Sequence, residues 1–150
     1  MQALNSLIAD KSWTLAAEEL GLAISPEELR NSILEQEEFQ KDGTFDPQFY
    51  QRILANNRMT PGEFESRRIT ELLRNKARLL ITESTTLTPA EMKEVEELAK
   101  RQAPEGADPG AKTTERIQLQ FLFQKKQRAL EAFQVAMRSK ANIIIHEQLL

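Results

Sequence analysis

The chain has one histidine, His146, and no cysteine. A thiolate nucleophile and a cysteine-based zinc site are therefore excluded, and a histidine pair or a histidine-rich zinc site fails on the count. A catalytic triad would rest on His146 alone, and no partner marks it as a base. Set beside the apolar run at 143–145, it reads as a tail residue. Carboxylates are plentiful, as Glu35, Glu37 and Glu38 and again as Glu94, Glu96 and Glu97. Two carboxyls work as acid and base only when buried at a fixed separation, and runs of this kind on amphipathic helices read as solvated faces. Neither a G-x-x-x-x-G-K nor a G-x-G-x-x-G phosphate loop occurs. The residues point to no catalytic group, no metal ligand and no cofactor, so the chain reads as a non-enzyme.

What remains is surface. "FQKDGTFDPQFY", residues 39–50, places Phe39, Phe45, Phe49 and Tyr50 around two chain-turning pairs, Asp42-Gly43 and Asp46-Pro47. Aromatics so placed either anchor a loop on a core or line an open apolar patch. Trp13 and the phenylalanines read first as core. The basic residues Arg116, Lys125, Lys126, Arg128, Arg138 and Lys140 gather late in the chain without interleaved aromatics. They read as a solvated helix face. The net charge of −3 and pI of about 5.4 also weigh against a nucleic-acid partner.

The elements that must position these residues are helical. Leu4, Leu7, Ile8, Leu15, Ala16 and Leu20 follow helical spacing, and Gly21 is placed to end that helix with a positive φ. Three later starts share one form: Ser25-Pro26-x-Glu28, Thr60-Pro61-x-Glu63 and Thr88-Pro89-x-Glu91. Each offers a hydroxyl N-cap, a proline for the first turn and a glutamate to close a capping box. Asp46 and Pro47 begin a shorter helix, with Phe49 and Ile53 facing inward. "QAPEGADPGAK", residues 102–112, is the one linker. Beyond it, Ile117, Leu119, Phe121 and Phe123 alternate as in a strand. The following residues are good helix formers without a turn, which favours one long helix. The β-branched run at 143–145 suits a short terminal strand or an extended tail.

The length of 150 residues suits one domain over 1–150. No stretch approaches the apolar length of a membrane span. "MQALNSLIADKSWTL" lacks the pattern of a signal peptide, so a targeting segment or anchor of an exported parent would lie outside this chain.

The order of the pieces resembles the N-terminal chaperone region of the SurA and PpiD family of bacterial envelope chaperones. The match runs through "LNSLIADKSWTLAAEELGL", "ISPEELRNSIL", "FQKDGTFDPQFYQRIL" and "MTPGEFESRRITELLRNK", with "LTPAE" as the next helix start. "RALEAFQVAMRSKANIII" looks like the family's returning segment. The resemblance implies an all-α fold whose long last helix packs back on the N-terminal helices, with Leu72, Leu73, Leu130 and Phe133 in that core. It also implies a periplasmic location, or one on the periplasmic face of the inner membrane, and binding of unfolded secreted or outer-membrane polypeptides without ATP. On that reading the client surface comprises Phe39, Phe45, Phe49, Tyr50, Met59 and Phe64. Relatives usually insert a parvulin-type prolyl isomerase domain where this chain has its linker. This chain lacks that length and the histidine pair, so the activity is not carried over; an alternative is that the chain is the chaperone part of a prolyl isomerase whose catalytic domain is absent from it. From a different class, the long last helix and linker would suit a helical dimerisation module.

Overall fold

The computed structural model describes residues 2–103 and 110–141. Six helices dominate it: α1 Gln2–Glu19, α2 Pro26–Leu34, α3 Pro47–Asn56, α4 Pro61–Ser84, α5 Pro89–Gln102 and α6 Ala111–Lys140. The fold is all-α with one short hairpin, and each expected helix forms. The three cap-Pro-x-Glu starts open α2, α4 and α5. Ser25 and Thr88 close full capping boxes with Glu28 and Glu91. At α4, the Glu63 amide donates to Thr60 Oγ1, and the Thr60 amide donates back to Glu63 Oε2. Asp46 caps α3 by accepting from the amides of Gln48 and Phe49. The alternation at 117–123 lies within α6, where the helix formers on either side prevail. The linker is bracketed by the end of α5 and the start of α6, with 104–109 outside the described residues. The proposed terminal strand and His146 also lie outside them.

The chain divides into two compact units, Met1–Ala77 and Arg78–Leu150. In the first, Gly21 ends α1 at φ +63°, and the amides of Gly21 and Leu22 donate to the carbonyls of Glu18 and Ala17. This double closure is a Schellman motif, and the left-handed residue in it favours glycine. The buried face of α1 is Ser12, Trp13, Ala16 and Ala17. That corrects two residues of the helical stripe read from the sequence, since Leu7 is 67% exposed and Leu20 40%. Within the buried face, Ser12 satisfies its hydroxyl by donating to the Ile8 carbonyl.

Three basic residues of α4 fasten it to α1 and α2. Arg74 donates to Thr14 Oγ1 at 2.8 Å and pairs with Asp10. Arg68 reaches the hydroxyl and the carbonyl of Ser32. Lys76 joins the Ala23 carbonyl at 3.0 Å to Glu28 Oε1 at 2.7 Å. Glu28 thus serves a helix cap and an ion pair together. The Lys76 bond first, then the Ser25 amide, bring its carboxyl from an ordinary 4.5 down to about 2.

In the second unit α6 packs along α5. Val95, Ala99 and Ile117 form the buried seam, with Leu87, Leu98 and Phe121 against it. Lys125 on α6 donates to Glu91 at 2.6 Å, which repeats the pairing of a cap glutamate with a lysine from a distant helix. The Glu91 carboxyl is likewise held at about 2, by Lys125 first and the Thr88 amide second. Lys126 pairs with Glu83, and Arg116 donates to Gln102. Part of the late basic cluster is therefore spent on pairing within the unit. Leu130 and Phe133 are half-buried.

Candidate functional site

The segment after α2 departs from the plain loop expected there. A single 3-10 turn, Glu37–Phe39, leads into a hairpin of β1 Gln40–Lys41 and β2 Thr44–Phe45, paired antiparallel with Gln40 opposite Phe45. Asp42 and Gly43 both take positive φ, +53° and +77°. Two consecutive left-handed residues make the two-residue turn that matches strand twist, and Asp-Gly is a favoured pair for it. The turn signal was legible; the pairing was not, because strands of two residues leave no alternating pattern to read. The Asp46 amide donates to the Phe39 carbonyl, and the Gln40 side chain donates to the Leu34 carbonyl. These bonds tie the hairpin to the starts and ends of its flanking helices.

Behind the hairpin stands an aromatic cluster. Phe39 and Tyr50 meet edge to face, with centroids 4.8 Å apart and planes at 88°. Phe64 stands edge-on to both, at 5.2 Å and 5.8 Å. Phe45 tilts against Tyr50 at 5.7 Å. Edge-to-face contacts of this kind add about 0.5–1.5 kcal/mol each beyond burial. Ile33 and Leu54 complete the buried centre, and Leu29, Ile53 and Met59 pack on its margin.

Five of the six residues named from the sequence as a surface are therefore in one cluster: Phe39, Phe45, Tyr50, Met59 and Phe64. Phe39 and Tyr50 sit within its core, 2% and 8% exposed, and so anchor the hairpin. Phe45, Met59 and Phe64 are half-buried on its edge. Phe49 is half-buried too, and it carries Arg52 over its ring at 5.7 Å. Leu72 and Leu73 are half-buried on α4.

Where the cluster reaches the surface, the structure holds an open cleft of about 470 Å³. Its apolar walls are Pro26, Leu29, Ile33 and Leu34 of α2, Phe45 of the hairpin and Pro47 of α3. Arg30 and Glu65 bring charged side chains to it, and Tyr50 also lines it. Of these lining residues, sequence reading singled out only Phe45 and Tyr50 as surface candidates. The α2 residues carry a helical apolar stripe like any core-facing helix, so no sequence signal separates a face that is covered from one left open. Tyr50 has a second distinction. Its hydroxyl is buried and finds no hydrogen-bond partner among the described residues. Burial, and then the nearby Glu65 carboxylate, push its pKa up. The glutamates of the two acidic runs, by contrast, are all exposed. Among the described residues no group of histidine and carboxylate side chains could hold a metal ion, and no helix is long and apolar enough to cross a membrane.

These features define a helical module whose distinctive region is an apolar cleft beside an aromatic-pinned hairpin. The family model for the SurA-like N-terminal domain matches residues 1–78, and the chain belongs to that family. No curated protein and no solved structure matches it.

Proposed function

We propose that this protein is an ATP-independent chaperone of the bacterial envelope, working in the periplasm or on the periplasmic face of the inner membrane. It holds apolar and aromatic segments of unfolded secreted or outer-membrane proteins, without catalysis and without nucleic acid. One observation carries the reading. The family match over 1–78 coincides with the unit Met1–Ala77, and that unit keeps an apolar cleft open rather than filling it. A holdase needs such a surface, with polar groups beside it to preserve solubility. Weak, adaptable contacts then give breadth of clients.

The test is suppression of aggregation of a denatured outer-membrane protein, without ATP, over a range of chaperone ratios. The parent should protect. Phe45→Ser, checked by circular dichroism to be folded, should protect less, because Phe45 forms one wall of the cleft. No protection by the parent at any ratio would end the reading. A second reading, assembly through α6, draws on Leu119 and Phe123, one turn apart and 60% and 63% exposed. Size in solution separates the two. A dimer that Phe123→Ser converts to monomer would move the function to assembly.

A further inference from the structure

Helix α6 carries two apolar faces. Ile117 and Phe121 belong to the seam with α5. Leu119 and Phe123 stand on another side of the helix and are 60% and 63% exposed. With 3.6 residues per turn they lie about 40° apart around the axis, so they form one ridge a turn long. A single exposed apolar residue is ordinary on a protein surface, but a leucine and a phenylalanine side by side make a patch.

The flanks of the ridge point to its occupant. By helical spacing Glu115 and Lys126 lie on its Leu119 side, Arg116 and Gln127 on its Phe123 side. They are also placed symmetrically along the axis. Glu115 is four residues before Leu119 and Gln127 four after Phe123, while Arg116 is three before and Lys126 three after. Consider a second copy of α6 laid antiparallel, with the two-fold axis at the level of Phe121. Leu119 of each copy then meets Phe123 of the other. Each side of one helix also meets the same side of the other, because the axis lies in the interface across both helices. Glu115 therefore faces the other copy's Lys126, and Arg116 faces the other copy's Gln127. Glu115 has no ion pair among the described residues. Lys126 gives one N–H to Glu83 and Arg116 one to Gln102, which leaves donors on both. A parallel pair fits less well. Lys112 lies on the centre line of the same face and would stand against its own counterpart, whereas antiparallel packing sets it on the other copy's Leu130. Antiparallel packing also opposes the helix dipoles.

We propose, resting on the assembly reading rather than on the chaperone reading, that this face of α6 binds a second copy of the chain as an antiparallel helix pair. Leu119 and Phe123 supply the apolar centre, and Glu115 with Lys126 of the other copy sets the direction. The pairing uses no residue of the cleft. A single pair of helix faces is small beside the about 1,200–2,000 Å² of a stable interface, so the dimer is weak, with a dissociation constant of about 10 µM to 1 mM.

The test is sedimentation equilibrium of the full chain up to about 1 mM, with each variant checked by circular dichroism. The parent should dimerise. Phe123 is exposed, so Phe123→Ser should keep the fold and weaken the dimer more than about 10-fold, since both copies lose an enclosed ring. Glu115→Lys and Lys126→Glu, each alone, set like charges against each other and should weaken it about 3–10-fold. An equal mixture of these two variants should recover the parent's affinity, because the mixed antiparallel pair again matches opposite charges at both ends. In a parallel pair Glu115 would face Arg116, and mixing would not help. A parent that stays monomeric up to about 1 mM overturns the pairing and the assembly reading together. A dimer that Phe123→Ser dissolves but the mixture does not recover overturns the antiparallel pairing and spares the assembly reading. A dimer indifferent to Phe123→Ser uses another face and overturns the pairing.

Discussion

Tyr50→Phe removes one oxygen atom from a packed aromatic cluster, and its effect on stability can be worked from the surroundings. The ring keeps its edge-to-face contacts with Phe39 and Phe64. The lost hydroxyl breaks no hydrogen bond to a described residue. What disappears is the cost of shielding an unpartnered polar group, about 1–3 kcal/mol. Against that stands a hole of roughly 10 Å³, which at about 24 cal/mol per Å³ amounts to about 0.2 kcal/mol. Taking the low end of the first figure, the variant should be more stable by about 1 kcal/mol. Urea unfolding followed by Trp13 fluorescence measures this directly, because Trp13 is the only tryptophan and lies in the same unit. The midpoint should rise with the slope unchanged. In a thermal scan the same gain is about 4–8 °C if the first unit unfolds by itself, and about 2–4 °C if the whole chain unfolds together. Phe39→Ala, a truncation in the same cluster, should instead cost about 3–5 kcal/mol. A Tyr50→Phe variant less stable than the parent by about 0.5 kcal/mol or more would show that the hydroxyl is bonded in the folded protein and would refute this reasoning.

Two further outcomes follow from the same geometry. Glu28 and Glu91 have folded-state pKa values lowered from 4.5 to about 2, by Lys76 and Lys125 first. Depressed carboxyl pKa values contribute stability that is present above the unfolded value and lost as pH falls through the folded one. Stability should therefore decline between about pH 4.5 and 2, and denaturant midpoints across that window should fall less steeply in Glu28→Gln and Glu91→Gln. Arg58 ends α3 at φ +54°, with its amide and that of Met59 donating to the Ala55 and Leu54 carbonyls. A left-handed residue with a Cβ costs about 1–2 kcal/mol, and glycine offsets part of that gain through its unfolded-state entropy. Arg58→Gly should thus stabilise by about 0.5–1 kcal/mol in urea unfolding, and a loss would show that the arginine side chain contributes elsewhere.

Much of this protein was determined locally and could be read from its residues. Ser25, Thr60 and Thr88, each three before a glutamate and one before a proline, mark helix starts through bonds made within a single turn. Gly21 and the Asp42-Gly43 pair mark where the chain must take positive φ, which is a property of the backbone itself. The absence of cysteine needed no structure, and the ordered helix starts were enough to suggest the family. Other features depend on what comes near from far along the chain. Lys76 and Lys125 complete the binding of Glu28 and Glu91 from other helices, and no spacing announces that. The aromatic residues of 39–50 were legible as a group, but their division of labour was not. Phe39 is enclosed because Phe64 of α4 closes over it, while Phe45 is left with a face on the cleft. Whether the apolar stripe of α2 meets a neighbour or solvent is decided by where α3 and the hairpin stop. Burial is a property of the assembled surface, and so only the tertiary structure could place the cleft, and only there does the unpartnered hydroxyl of Tyr50 come into view.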